Sequence, residues 1–92
     1  MTVSFRFYGY LNDFLRPFRR GFRFRRILRT HWSVKDALVA LGVPYSRVDV
    51  VVVNGTPVDF SYVLEDGDRV AFYPPFRSID LGDIVRAGRR AS

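Results

Sequence analysis

Between residues 16 and 29 the chain reads RPFRRGFRFRRILR, which holds seven of its fourteen arginines and no acidic residue. Arginine presents a planar fork of donors that pairs with phosphate and stacks on bases. Here Arg16, Arg19, Arg20, Arg23, Arg25, Arg26 and Arg29 are interleaved with Phe18, Phe22 and Phe24. Guanidinium groups set against phosphates, with a phenylalanine or Trp32 stacked on an unpaired base, are the chemistry of a surface for RNA or another polyanion. The same spelling fits an edge strand with a solvated arginine face, because charge on an edge discourages pairing with other molecules. On that reading Phe22 and Phe24 face the core, Arg23 and Arg25 face solvent, and Arg16 to Arg20 form a charged loop. Both readings stand, and weak, salt-sensitive polyanion binding follows from either.

Other residue types offer less. The one histidine, His31, lies five positions before Asp36, but Asp36 is placed to cap a helix and nothing nominates a nucleophile. No catalytic residue is assigned and no enzymatic activity is expected. One histidine with scattered carboxylates has no metal-ligand spacing, so neither a metal nor any other cofactor is expected. Glu65, Asp66 and Asp68 are better explained by turn chemistry than by a bound cation. Tyr8, Tyr10, Tyr73 and Phe76 are candidates for an exposed aromatic patch that meets a protein partner.

The totals bound the setting. Ninety-two residues make one domain, and 48% apolar content argues against disorder throughout. Aromatics at 16% let so short a chain bury a sizeable core. The absence of cysteine removes disulfides and thiolate zinc sites. No signal-peptide pattern and no apolar run long enough for a bilayer is present, so a soluble, cytoplasmic chain without membrane contact is expected. A net charge of +6 suits RNA or an acidic protein partner.

Hydrophobic periodicity supplies the elements. VSFRFYG (3–9) alternates as a strand, 10–21 is a connection, and 22–29 begins as a second strand whose phase breaks at Arg26-Ile27-Leu28, where a bulge or the strand's end is expected. SVKDALVALGVP predicts a helix over 33–42, with Ser33 and Asp36 as a capping box and Gly42 as its stop. The valines of 47–55 predict a buried central strand that runs into an Asn-Gly turn. A short strand around Val58–Phe60 and a last strand over 69–73, stopped by Pro74 and Pro75, complete the order. After Phe76, a helical turn near Asp83–Arg86 and a partly disordered extension, 77–92, are expected. The order β-β-α-β-β-β predicts an α+β domain over 1–76, one helix packed across a mixed sheet of four or five strands. A small nucleic-acid-binding barrel is the rival, disfavoured by a capped helix straight after a hairpin.

The segments SVKDALVALGVP, VVVNGTPVD and LEDGDRVAFYPP, at their spacing, resemble the β-grasp (ubiquitin-like) fold in the branch of the sulfur carriers ThiS and MoaD. With FRFYGYLNDFL and the later SIDL added, the chain is more closely similar to the ubiquitin-like domain found before Mut7-C ribonuclease domains. That resemblance implies strands 3–9 and 69–73 as a central parallel pair and the second strand at a sheet edge. It also implies an accessory binding role in RNA metabolism, beside a PIN-like Mut7-C-type nuclease in cis or in trans. Sulfur carriers act through a C-terminal Gly-Gly, whereas the seven glycines here include no adjacent pair. Carrier chemistry is therefore not expected.

Overall fold

The computed structural model describes residues 1–75, and the expectations for Phe76 and for 77–92 lie outside them. The described chain forms β1 (Thr2–Phe7), β2 (Phe24–Ile27), α1 (Val34–Leu41), β3 (Val50–Val53), β4 (Thr56–Val58) and β5 (Arg69–Tyr73). Short 3₁₀ turns at Gly9–Phe14, Pro17–Arg19 and Tyr45–Arg47 fill the connections. The five strands make one sheet in the order β2-β1-β5-β3-β4. β1 and β5 are parallel at its centre, with Phe5 beside Val70 and Phe7 beside Phe72, and every other pairing is antiparallel. This is the α+β, ubiquitin-like arrangement that the sequence implies, with β2 at an edge.

The strand period sorts side chains onto two faces. Val3, Phe5 and Phe7 of β1, Val51 and Val53 of β3, and Val70 and Phe72 of β5 are buried against Val34, Ala37 and Leu38 of α1. Phe7 and Phe72 stack at 4.6 Å between ring centroids, and Phe5 and Phe24 extend the aromatic layer at 5.9 Å. Fully burying a phenylalanine contributes roughly 1.5–3 kcal/mol, so three such rings at zero exposure carry much of a core this small. The opposite sheet face has no covering layer among the described residues.

Several expectations need correction. The valine strand is not buried on both faces, because Val50 and Val52 point to the uncovered side while Val51 and Val53 point inward. β4 lies at Thr56–Val58 rather than Val58–Phe60, because the two-residue Asn54-Gly55 turn pairs Val53 directly with Thr56. β2 ends at Ile27, within the expected break at residues 26–28, but keeps its phase to that end. Phe24, Arg26 and Leu28 share the inward parity, and Arg26 at the edge is only half-buried. Phe22, expected in the core, precedes the strand and is 64% exposed.

The Asn-Gly and Asp-Gly-Asp motifs meet in space. Asn54 adopts a left-handed φ of 51° and Gly55 one of 86°, which closes the turn after β3. Asn54 Nδ2 donates to Asp68 Oδ1 at 2.9 Å, the Glu65 N–H donates to Asp68 Oδ2 at 2.8 Å, and Asn54 Oδ1 accepts from the Arg69 N–H at 2.9 Å. The Asp68 backbone carbonyl accepts from the Ser4 N–H at 2.9 Å, which carries the link to β1. Asp68 is the buried polar residue of the described chain, and its carboxyl oxygens meet two N–H donors.

The two sheet edges differ. The Asn54 N–H donates to the Arg69 carbonyl, so residues 50, 52 and 54 of β3 bond toward β5, and 51 and 53 bond toward β4. Pro57, opposite Val52, therefore turns its nitrogen to the outer edge, where it offers no donor. At the other edge, Met1 and Leu28 exchange bonds of 2.9 and 2.8 Å. The alternation then bonds Arg26 and Phe24 to β1 and turns the N–H and C=O groups of Arg25 and Ile27 outward.

The helix begins as its sequence predicts. Ser33 Oγ accepts from the Asp36 N–H at 3.2 Å, and Asp36 Oδ2 accepts from the Ser33 N–H at 2.9 Å. Hydrogen bonds from the Ser33 N–H and hydroxyl hold the Asp36 carboxyl below the usual carboxylate range. A lowered value means that this contribution is complete above the ordinary carboxylate range and is lost as pH falls through the lowered one.

Two predictions follow from these contacts. Asp68→Asn supplies one acceptor where two donors converge, so it should lower stability by about 1–3 kcal/mol despite its equal size. Ser33→Ala should cost about 1 kcal/mol. Urea unfolding of both variants checks them, and an unchanged midpoint for Asp68→Asn would remove the structural role given to that carboxyl.

Candidate functional site

The seven clustered arginines do not form one patch. β2 turns alternate residues to opposite faces, and the connection before it folds back on itself. Arg20 is committed to that fold, donating from Nε to the Leu15 carbonyl at 3.0 Å and from Nη2 to the Asp13 carbonyl at 3.4 Å. Asn12 braces the same connection. Its Nδ2 donates to the carbonyls of Phe7 and Gly9, and its Oδ1 accepts from the Gly21 N–H at 2.9 Å. Arg29 is exposed beyond the end of β2.

Arg16, Arg19 and Arg26 line a groove of about 410 Å³ on the helix side, together with Phe14, Leu15 and residues 39–42 at the end of α1. The Arg19 guanidinium lies 5.2 Å from the ring centroids of both Phe18 and Phe24, a cation–π contact on each.

Arg23 belongs to the uncovered sheet face. With Tyr8, Val52, Asn54, Gly55, Arg69, Ala71 and Tyr73 it lines a trough of about 370 Å³. Ala71, the small residue between Arg69 and Tyr73, forms the floor with Val52, its register partner. No carboxylate is among the lining residues. Arg25 is exposed on the same face, opposite Ser4.

Tyr8 and Tyr73 form the wall of the trough, stacked at 4.6 Å with their planes 3° apart. The Arg6 guanidinium lies 4.9 Å from the Tyr8 ring and donates from Nη1 to the Gly21 carbonyl, which ties the arginine connection to the sheet. Arg6 Nε is buried with no partner among the described residues. Burial pushes the Tyr73 hydroxyl up, Tyr8 adds to the shift, and the nearby Arg23 and Arg6 oppose it.

Of the expected protein-contact residues, Tyr8 and Tyr73 are brought together. Tyr10 is not with them. It packs against the core beside Phe14, and its hydroxyl donates to the Arg47 carbonyl at 3.4 Å. Phe76 lies outside the described residues.

Arg6 and Arg69 were missed as site residues because each is an isolated arginine in a strand. The signal available was the alternation itself, which puts Arg6 with Tyr8 and Arg69 with Ala71 and Tyr73.

Several other chemically capable side chains are engaged elsewhere. Asp36 is held by Ser33, while His31 sits exposed in the preceding turn at φ 68°. Asp66 Oδ1 accepts from the Thr2 N–H at 2.7 Å, and Asp68 is locked to Asn54. Among the described residues no group of three or more His, Cys, Asp or Glu is placed to hold a metal ion, and no helix is long and apolar enough to cross a membrane.

The profile of the Mut7-C ubiquitin family matches residues 1–80. The chain belongs to that family. Solved structures add the fold relationship. SAMP1 of Haloferax volcanii superposes with a TM-score of 0.62 at 21% identity, over 82% of this chain and 96% of that one. A putative molybdopterin converting factor subunit 1 of Pyrococcus furiosus gives 0.62 at 19% identity, over 82% and 98%. A protein–protein complex of subunits 1 and 2 of the molybdopterin-converting factor of Helicobacter pylori contains a chain similar at 0.55 and 22% identity, over 82% and 95%. No curated protein matches the chain. The family and the superpositions agree on a small ubiquitin-like module with a MoaD- or ThiS-like fold.

If Arg20 and Arg6 serve the connection rather than a ligand, Arg20→Ala should speed amide exchange at Arg19 to Gly21 by about tenfold or more. Global stability should change by less than about 1 kcal/mol. Unchanged exchange would return Arg20 to the pool of free cations.

Proposed function

We propose that this Mut7-C-family ubiquitin-like module is a non-catalytic accessory domain of RNA metabolism. It works beside a Mut7-C-type nuclease, in cis or in trans, and presents RNA on its uncovered sheet face. The observation that carries this reading is the trough in which Arg23 and Arg69 face the Tyr8–Tyr73 wall with no carboxylate among the lining residues. Guanidinium groups meet backbone phosphates. The half-buried tyrosines offer hydroxyl donors at the rim, and the Ala71–Val52 floor accepts the flat of a base or sugar. Arg25 extends the positive charge along the same face.

A second reading gives the same face to a protein. The Helicobacter pylori relative in fold is one subunit of a protein–protein complex, and this face also exposes Ile27 and Val50. On that reading an acidic partner replaces the phosphates.

The test is binding of labelled single-stranded and hairpin RNA at about 50 and 200 mM salt, with the double variant Arg23→Ser, Arg69→Ser beside the parent. The expected result is binding to the single strand near the micromolar range, retained at the higher salt and weakened at least about tenfold in the variant. Exposed Arg29→Ser should change it by less than about threefold. Equal, weak binding of every polyanion, abolished by salt and indifferent to Arg23 and Arg69, would end the RNA reading and leave the protein one.

A further inference from the structure

We propose a second interaction surface, distinct from the uncovered sheet face: the free edge of β2 together with the helix-side groove takes an extended acidic–apolar segment of a partner protein as a sixth strand. Three observations converge on that occupant.

The edge itself is available. Arg25 and Ile27 turn their N–H and C=O groups outward, and no hydrogen bond among the described residues takes them up. Unpaired strand groups in a row are a template for another strand. The contrast with β4 is informative, because there Pro57 removes the outward donor.

The groove lies beside that edge on the helix side. A strand added to β2 points alternate side chains toward α1, into the space lined by Phe14, Leu15 and the exposed Val39. Those positions favour aliphatic residues.

Charge selects the partner. Arg16, Arg19 and Arg26 line the groove and Arg25 flanks the edge on the other face, while no carboxylate lines the groove. A second copy of β2 laid on this edge would set arginines against arginines, which is destabilising in directly opposed strand pairs. An acidic segment meets the opposite situation. Its aliphatic side chains enter the groove, its carboxylates on the opposite face reach Arg25, and the like-charge barrier that excludes a second copy is the element of discrimination.

The probe is a labelled synthetic octapeptide that alternates isoleucine with aspartate, titrated into the full chain at about physiological salt while backbone amide shifts are followed. Two controls accompany it: the same peptide with proline at alternate positions, and oligoglutamate. Binding on the order of tens of micromolar is expected, with shifts at Phe24 to Ile27 and at Val39 to Gly42. Ile27→Pro removes an outward donor without touching the β1 pairing and should weaken binding at least tenfold. Arg25→Ser should weaken it as well, and thermal melting confirms that each variant is folded.

Several results overturn the proposal. Equal affinity for oligoglutamate or the proline control would reduce the effect to charge. Shifts centred on Tyr8, Arg69 and Tyr73 would move the peptide to the other face. Displacement of the peptide by single-stranded RNA that shifts Arg16 and Arg26 would assign the groove to nucleic acid, and self-association through the β2 edge would assign it to a second copy.

Discussion

The carboxyl group of Asp68 joins segments that sequence separates widely. One oxygen accepts the Asn54 amide, the other accepts the Glu65 N–H, and the adjoining carbonyl receives Ser4. The β3–β4 turn, the entry to β5 and the start of β1 therefore share one buried polar knot. Because buried polar groups are costly unless paired, this knot is satisfied in a single register of the central strands. With that register fixed, Phe5, Phe7, Phe24 and Phe72 fall on one face and build the aromatic core. Arg69, Ala71 and Tyr73 fall on the other and build the trough. The core and the candidate site are two sides of one constraint on strand alignment.

Much of this fold is legible in the sequence because its signals are local. Ser33 and Asp36 announce the helix start, Gly42 its end, and Pro74 the end of β5. What is not legible depends on tight geometry. The Asn54-Gly55 turn is so short that β4 begins two residues earlier than its apolar pattern suggests. Arg26 breaks the hydrophobic alternation of β2 without breaking the strand, because an edge position leaves a half-buried guanidinium access to water.

The candidate site was harder to read for a different reason. The arginine run is conspicuous as composition, but a strand distributes neighbours to opposite faces, and a folded connection turns some inward on backbone carbonyls. Arg20 is absorbed by Leu15 and Asp13, Arg19 lies over two phenylalanines, and Arg23 alone of the run reaches the trough. Its cationic partner there, Arg69, comes from a strand that sequence places far from the run. Density of charge along a chain is thus a poor guide to density of charge on a surface, whereas the parity of each position within its strand is a good one.

Pro57 bears on how the molecule behaves when crowded. A sheet with two receptive borders is able to recruit copies without limit and grow into a ribbon, the first step toward fibrous aggregates. Here one border is closed by a residue that has no hydrogen to give. Anything that joins the other border, whether a foreign strand or a twin, leaves among the described strands only a border that lacks this donor. A domain rich in β-branched and aromatic residues is thereby kept from templating its own precipitation.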